Sequence, residues 1–104
     1  MIEEALRAIA EPRRRDILRL LHDSELAAGE IASHVDVTRP AISQRLRVLE
    51  DCRLVEVRRQ GTQRIYRIRS DTMAELRQYM EQFWQDSLTR LAEAAEIEEQ
   101  QNRG

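Results

Sequence analysis

Polar side chains recur along one face of the segment from Val37 to Leu49, which reads VTRPAISQRLRVL. At 3.6 residues per turn, one face of a helix here carries Pro40, Gln44 and Arg47. The opposite face carries only apolar side chains, namely Ile42, Leu46 and Leu49. Amide, hydroxyl and guanidinium groups are the chemistry that contacts base edges and phosphates in a DNA major groove. The segment therefore predicts a short helix that packs on its apolar side and hydrogen-bonds to DNA on its polar side.

The polar groups of this segment fall into two predicted roles. The first helical turns are expected to probe base edges through Arg39, Ser43 and Gln44. Phosphates or groove walls are expected to meet Thr38, Arg45 and Arg47. Thr38 also suits the N-cap of the helix, since its hydroxyl can accept a backbone N–H, and Pro40 suits the first turn.

The preceding elements are predicted to position this helix. Apolar spacing indicates a first helix that ends near Glu11-Pro12, a second from Pro12 to Leu21 and a third from Glu25 to Val35. A turn at 36–37 then leads to the fourth helix, which Thr38 opens and which ends near Cys52. Two short helices joined by a tight turn are typical of a helix-turn-helix, here residues 25–52.

A β-hairpin is predicted over residues 54–69, where apolar and charged residues alternate on both sides of a turn containing Gly61. The segment following a helix-turn-helix is a wing in such folds, and a wing contacts the DNA backbone. The residues expected to do so are Arg58, Arg59, Thr62, Gln63 and Arg64. The alternative is a solvated hairpin whose arginines only keep an edge strand soluble.

A long last helix is predicted from about Thr72 into the 90s, with a frayed acidic stretch from Glu96 to the end. Its apolar stripe exceeds what a small domain can cover, so we expect residues 1–10 and 71–98 to form a dimer interface. That interface is expected to contain Leu6, Ile9, Leu76, Met80, Phe83, Trp84, Leu88 and Leu91. The alternative is packing within the chain's own core.

Composition limits the classes of protein to consider. The 104 residues suffice for one domain, residues 1–104, predicted to be mainly α with about five helices plus a two-stranded wing. The net charge of −2 hides a central block, residues 39–69, with nine arginines against three acids. A local basic surface can bind nucleic acid on an acidic protein. No membrane span or signal pattern is present, so a cytoplasmic protein is expected.

Catalytic and metal-binding patterns are not found in the sequence. There is no glycine-rich phosphate loop and no nucleophile beside a base, so neither an enzyme nor a cofactor is expected. Cys52 is the single cysteine, which points to a structural role rather than a redox switch, although the sequence leaves both open. His22 and His34 are expected to be ordinary surface histidines. The cluster Arg13–Arg15 suits phosphates and acidic helices equally well.

Three segments together resemble the ArsR-type winged-helix transcriptional repressors: AIAEPRRRDILRLL, RPAISQRLRVLEDCRLV and RRQGTQRIYRI. The resemblance implies a homodimer that binds a palindromic operator in double-stranded DNA until an inducer releases it. Metal-sensing members carry two cysteines in the third helix, at positions that Ala27 and Gly29 occupy here. Residues 70–104 contain no histidine, so the family's second type of metal site is not expected either.

The means of release therefore stays open between a small organic inducer, a protein partner and no inducer at all. The alternative function is a winged-helix module that dimerises or recruits a protein without reading DNA.

Overall fold

The computed structural model describes residues 2–103, which form five helices and three short strands. In chain order these elements are α1 (Ile2–Ala10), α2 (Pro12–Leu20), β1 (Leu26–Ala27), α3 (Ala28–His34), α4 (Arg39–Asp51), β2 (Val55–Gln60), β3 (Gln63–Ile68) and α5 (Ser70–Arg103). The mainly helical architecture with a small hairpin is the one that the sequence predicts.

The predicted third helix begins later than expected. Its first residues instead form β1, in which Leu26 pairs with Tyr66 and Ala27 with Ile65 of β3. Helix α3 starts only at Ala28. The carboxylate of Glu30 accepts the backbone N–H of Ala27, the residue before the helix, at 3.0 Å. Pairing with a strand far along the chain therefore overrides the local helical pattern at this boundary.

The hairpin is confirmed, but its sheet has three strands rather than two. The strand order is β1-β3-β2, and both pairings are antiparallel. Gly61 lies in the turn between β2 and β3 with a φ of 64°, the left-handed region that glycine adopts without a steric penalty. The short β1 covers one edge of β3 and ties the wing to the start of the helix-turn-helix.

The end of α4 explains how the chain turns into the hairpin. Cys52 is the C-cap, and Arg53 follows with a φ of 61°. The backbone N–H of Leu54 donates to the carbonyl of Leu49 at 2.9 Å, and that of Arg53 donates to the carbonyl of Glu50 at 3.0 Å. These two bonds form a Schellman motif, which satisfies the last helical carbonyls and reverses the chain.

The core lies between the helix-turn-helix, α1, the sheet and the first turns of α5. The apolar faces predicted for the second and fourth helices are buried. The core residues are Ala5, Ala8, Ile17, Leu18, Leu21, Ile31, Val35, Ile42, Leu46, Leu49, Leu54, Val55, Tyr66 and Leu76.

Helix α5 is longer than predicted at both ends. It starts at Ser70 and continues to Arg103, so the stretch from Glu96 is helical rather than frayed. Between these limits the chain has no glycine or proline, and Arg103 pairs with Glu99 one turn earlier at 3.2 Å. The helix projects beyond the core, which gives a longest dimension of 73 Å and a radius of gyration of 19.5 Å. A compact chain of this length would have a radius of gyration of about 13 Å.

Candidate nucleic-acid interface

Helix α4 has the two predicted faces. Ile42, Leu46 and Leu49 are at most 2% exposed and hold the helix against the core. The side chains turned to solvent near its N-terminal end and along its outer face are Arg39, Pro40, Ser43, Gln44 and Arg47. The helix is therefore fixed from behind and presents hydrogen-bonding groups in front.

Thr38 is the N-cap of α4, as predicted. Its backbone is extended and its hydroxyl accepts the backbone N–H of Ala41 at 3.4 Å. The side chain is exposed, so its hydroxyl remains accessible to a ligand. Thr38 thus sets where the helix begins and stands at the edge of the polar face.

Grooves between α4 and the hairpin bring together most of the predicted DNA-contacting residues. One groove of about 700 Å³ is lined by Ser43, Gln44 and Arg47 from α4 and by Arg64 from β3. A second of about 480 Å³ joins Arg39 to the turn of the hairpin. We call the combined surface the α4–wing surface, formed by Arg39, Ser43, Gln44, Arg47, Arg59, Thr62, Gln63 and Arg64.

Charge is distributed unevenly along this surface. Within residues 2–103, Arg39, Arg47, Arg59 and Arg64 form no ion pair, so their charge is available to a ligand. Glu50 and Asp51 line the far end of the larger groove. A polyanion is therefore favoured at the N-terminal end of α4 and at the wing, and is repelled from the C-terminal end of the helix.

Two arginines predicted to contact DNA do not join the α4–wing surface. Arg45 is 26% exposed; its Nε lies 3.5 Å from a carboxylate oxygen of Glu11, and it also donates to the carbonyl of Ala41. Arg58 donates to Glu25 at 2.5 Å and to Gln60 at 3.2 Å. Both side chains are held by groups of their own chain.

Glu11 is a structural residue that the sequence analysis missed. Its carboxylate caps α2 by accepting the backbone N–H groups of Arg13 at 3.1 Å and Arg14 at 2.9 Å. Burial raises the pKa of Glu11, but these hydrogen bonds and the charge of Arg45 outweigh it, so the pKa lies below the ordinary glutamate value. Glu11 therefore links the start of α2 to helix α4.

The cluster Arg13–Arg15 is engaged within the protein rather than presented to a ligand. Arg14 donates to the carbonyl of Ala8 at 2.7 Å, and Arg15 donates to the carbonyls of Ile9 and Ala10, both at 2.9 Å. These are the last carbonyls of α1, which have no helical partner. The pair caps α1 and fixes its junction with α2.

A separate apolar surface runs along α5. The large apolar side chains exposed on it are Tyr79, Met80, Phe83, Trp84, Leu88, Leu91 and Ile97, and we call them the α5 stripe. Trp84 is 57% and Leu91 67% exposed. Leu76, by contrast, is 5% exposed in the core of its own chain, which leaves it almost no surface for a partner. Leu6 and Ile9 of α1 are half-buried against the core.

The cysteine and the histidines show no arrangement for metal binding. Within residues 2–103 there is no group of three histidine, cysteine or acidic side chains that could hold an ion. Cys52 is half-buried at the end of α4 and donates to the carbonyl of Leu49 at 3.5 Å. Burial raises the pKa of its thiol, which disfavours the reactive thiolate. His34 contacts the carbonyl of Glu30 at 2.8 Å.

No helix in the described part of the chain has the length and apolarity needed to cross a membrane.

A helix-turn-helix with an exposed polar helix, followed by a hairpin that adds arginines beside it, defines the winged-helix class of DNA-binding proteins. Comparison with known proteins identifies the family within this class. The family model described as bacterial regulatory protein, arsR family, matches residues 11–57.

Relatives extend the match over nearly the whole chain. The HTH-type transcriptional regulator Rv2034 of Mycobacterium tuberculosis is 40% identical over 96 residues, covering 92% of this chain and 90% of the relative. The transcriptional repressor SdpR of Bacillus subtilis is 35% identical over 60 residues, covering 58% of this chain and 67% of SdpR.

Solved structures agree with these relatives. A possible transcriptional regulator for arsenical resistance superposes with a TM-score of 0.73 at 41% identity, covering 84% of this chain and 91% of that one. An ArsR-like transcriptional regulator from Rhodococcus sp. RHA1 gives a TM-score of 0.80 at 26% identity, covering 92% and 91%. The chain belongs to the ArsR family of bacterial transcriptional regulators. This confirms the predicted winged fold and the prediction of a non-enzymatic regulator that binds DNA.

Proposed function

We propose that the chain is a homodimeric repressor that recognises a palindromic operator through its α4–wing surface. The observation that carries the proposal is the juxtaposition of an exposed, hydrogen-bonding α4 with arginines of the wing that have no ion pair within residues 2–103. A winged helix that binds only proteins is not favoured, because relatives across the family are named transcriptional regulators and repressors.

Each part of the α4–wing surface has a distinct proposed role. With the N-terminal end of α4 in the major groove, Arg39, Ser43 and Gln44 reach base edges. Thr38 and Arg47 stand at the margins of this face and meet phosphates or groove walls. The wing contributes backbone contacts through Arg59, Thr62, Gln63 and Arg64.

Dimerisation is proposed through the α5 stripe, with Leu6 and Ile9 of α1 at its margin. Seven large apolar side chains exposed on a single helix make a larger apolar surface than a monomer normally leaves in water. A second copy would cover them with an identical stripe around a two-fold axis. Two α4 helices related by that axis would address half-sites about 10 bp apart, or one helical turn of DNA.

Repression is proposed because relatives are named repressors, one of them of an arsenical resistance operon, although another relative is named a transcriptional activator. Such a regulator acts in the cytoplasm, where the bacterial chromosome lies. Ala27 in β1 and Gly29 in the first turn of α3 cannot coordinate a metal through their side chains. An inducer of this repressor would therefore belong to another class, either a small organic molecule or a protein partner.

Selection of bound duplexes from a random pool tests the function directly. We expect a recurring two-fold sequence, bound with a dissociation constant on the order of 10⁻⁸ M or tighter. Sedimentation equilibrium of the chain alone should give a dimer at micromolar concentration. A pool without any recurring sequence, or a monomer that binds all duplexes equally, would contradict the proposal.

A further inference from the structure

The arginines of the hairpin lie on two faces with different surroundings. In the β2–β3 pairing, Arg59 stands opposite Arg64. Because side chains alternate along a strand, these two share the face of the buried Tyr66, which turns toward α4. Arg58 and Arg67 lie on the outer face.

Two carboxylates meet the outer-face arginines. One carboxylate oxygen of Glu25 accepts a hydrogen bond from Arg58 at 2.5 Å, and the other lies 3.7 Å from Arg67. Arg67 also donates its Nε–H to Glu56, its cross-strand neighbour. We call Glu25, Glu56, Arg58 and Arg67 the outer clasp.

The position of Glu25 gives the outer clasp its significance. Glu25 directly precedes β1, and β1 leads straight into α3, the first helix of the helix-turn-helix. β1 has two residues only, which pair with Ile65 and Tyr66, so its ladder with β3 is short. The ion pairs of Glu25 add a second attachment between the hairpin and the chain that precedes α3.

Within the described residues, the arginines of the inner face lack carboxylate partners of this kind. Arg59 and Arg64 are exposed, and neither forms an ion pair with any residue in 2–103. Like charges on adjacent strands repel each other, so a ligand phosphate between Arg59 and Arg64 would relieve an unfavourable interaction. The two faces therefore differ in charge balance: the outer one is neutralised and the inner one is not.

We propose that Glu25 is a positioning residue for DNA recognition. By pairing with Arg58 and Arg67, it sets the angle between the hairpin and α4. At that angle Arg59 and Arg64 contact the DNA backbone. The inference rests on the proposed DNA-binding function and adds to it. It also gives Arg58 an ion pair with Glu25 in place of the phosphate contact that the sequence predicts.

The substitution Glu25→Gln separates positioning from simple electrostatics because the two predict opposite signs. Removing a negative charge near DNA by itself strengthens binding to every duplex. Loss of positioning instead weakens binding to operator and random duplexes alike, by about three- to fivefold for partly exposed ion pairs, because Arg59 and Arg64 contact the DNA backbone. Asp23→Asn is the matched control: it makes the same charge change two residues away, and Asp23 has no ion pair within residues 2–103.

A double-mutant cycle with Arg58→Ala tests the same claim from the arginine side. If Glu25 acts through Arg58, the operator affinity of Glu25→Gln/Arg58→Ala equals that of the weaker-binding single variant. The dependence of affinity on salt separates positioning from contact. Arg59→Ala should reduce the slope of log affinity against log salt by about 2, since the proposed dimer loses one phosphate contact per chain, and Arg58→Ala should leave it near the wild-type value.

Thermal unfolding, monitored by circular dichroism, checks that each variant is folded. Should Glu25→Gln fold poorly, Arg67→Gln removes one partner of Glu25 instead, and we expect weaker binding to both duplexes with a salt slope near the wild-type value. The inference is overturned if Glu25→Gln binds the operator and a random duplex as tightly as Asp23→Asn does. It is equally overturned if Arg58→Ala lowers the salt slope by about 2 and keeps its full effect beside Glu25→Gln, since Arg58 of each chain would then contact phosphate. A wild-type chain with no preference among duplexes would instead overturn the proposed function, and this inference with it.

Discussion

Helices α4 and α5 both carry large side chains that their own chain leaves in water, but the two helices expose opposite chemistry. Helix α4 buries its apolar residues and exposes arginine, serine and glutamine. Beyond its first turns, α5 exposes phenylalanine, tryptophan and leucine. A polar face loses little by staying hydrated, whereas an apolar stripe gains free energy when a partner removes it from water. The difference supports the two partners proposed above, DNA for α4 and a second copy for α5.

The largest expected effect is on dimerisation through the α5 stripe. Trp84→Glu places a charge in the middle of the α5 stripe, so we expect the dimer dissociation constant to rise by about 100-fold or more. Operator affinity should fall with it, because one α4 helix makes half the contacts. Sedimentation equilibrium and operator titration measure the two effects.

Gln85→Glu is the control for that substitution. It adds the same charge one residue further on, about 100° around the helix and away from the stripe. The variant should remain dimeric. Dissociation of both variants to the same extent would show that added negative charge, rather than the stripe, controls assembly.

The second prediction distinguishes base contacts from phosphate contacts within the α4–wing surface. Gln44→Ala should weaken operator binding by roughly 1–3 kcal/mol and relax the choice of sequence, because the amide reads a base edge. Arg59→Ala should weaken operator and random duplexes alike, since a phosphate contact carries no sequence information. Titration of each variant with both duplexes distinguishes the roles. Equal losses on both duplexes for Gln44→Ala would show that α4 does not read bases.

The third prediction concerns the buried side of α4, where Arg45 meets Glu11. Glu11→Ala removes the N-cap of α2 and should lower the free energy of unfolding by about 1 kcal/mol near pH 7. The pKa of Glu11 is depressed in the fold, so its contribution is present above the unfolded-state pKa. As pH falls through the depressed value, that contribution is lost and the gap between wild type and variant should close.

Urea denaturation at about pH 7 and about pH 3 measures that gap. Glu93→Ala, an exposed change on α5, is the control for the change in charge. A gap that stays constant over this pH range would show that the ionised carboxylate contributes nothing.

The smallest expected effect concerns Arg53, which belongs to the arginine-rich central block, residues 39–69, but lies outside the α4–wing surface. Its φ of 61° is strained for a side chain with a Cβ, so Arg53→Gly should raise stability by about 0.5 kcal/mol. Operator affinity should be unchanged. Arg53→Ala, which keeps the strain, should match the wild type in urea denaturation. A loss of operator affinity in both variants would place Arg53 at the DNA.

Local signals were sufficient to predict α4 and the hairpin. Thr38 and the spacing of Ile42, Leu46 and Leu49 define the helix, and Gly61 between alternating residues defines the turn. Each of these features acts within a few residues, so a single sequence displays it.

Features that depend on distant partners were not predictable in the same way. The strand β1 has two residues and pairs with a strand about forty positions later, so no periodicity reveals it. Arg45 and Arg58 resemble DNA contacts until Glu11 and Glu25 are found beside them. Leu76 continues the apolar pattern of α5, and only the position of the core shows that it belongs inside.

Titration of the selected operator with the purified chain is the most direct test of the interpretation that the α4–wing surface binds DNA and the α5 stripe forms the dimer. The mass of the complex is determined by sedimentation. We predict two chains per duplex. We also predict that affinity falls by about a thousandfold or more between about 50 mM and 200 mM salt, as expected for six to ten phosphate contacts. A single chain per duplex, or binding that salt does not weaken, would contradict it.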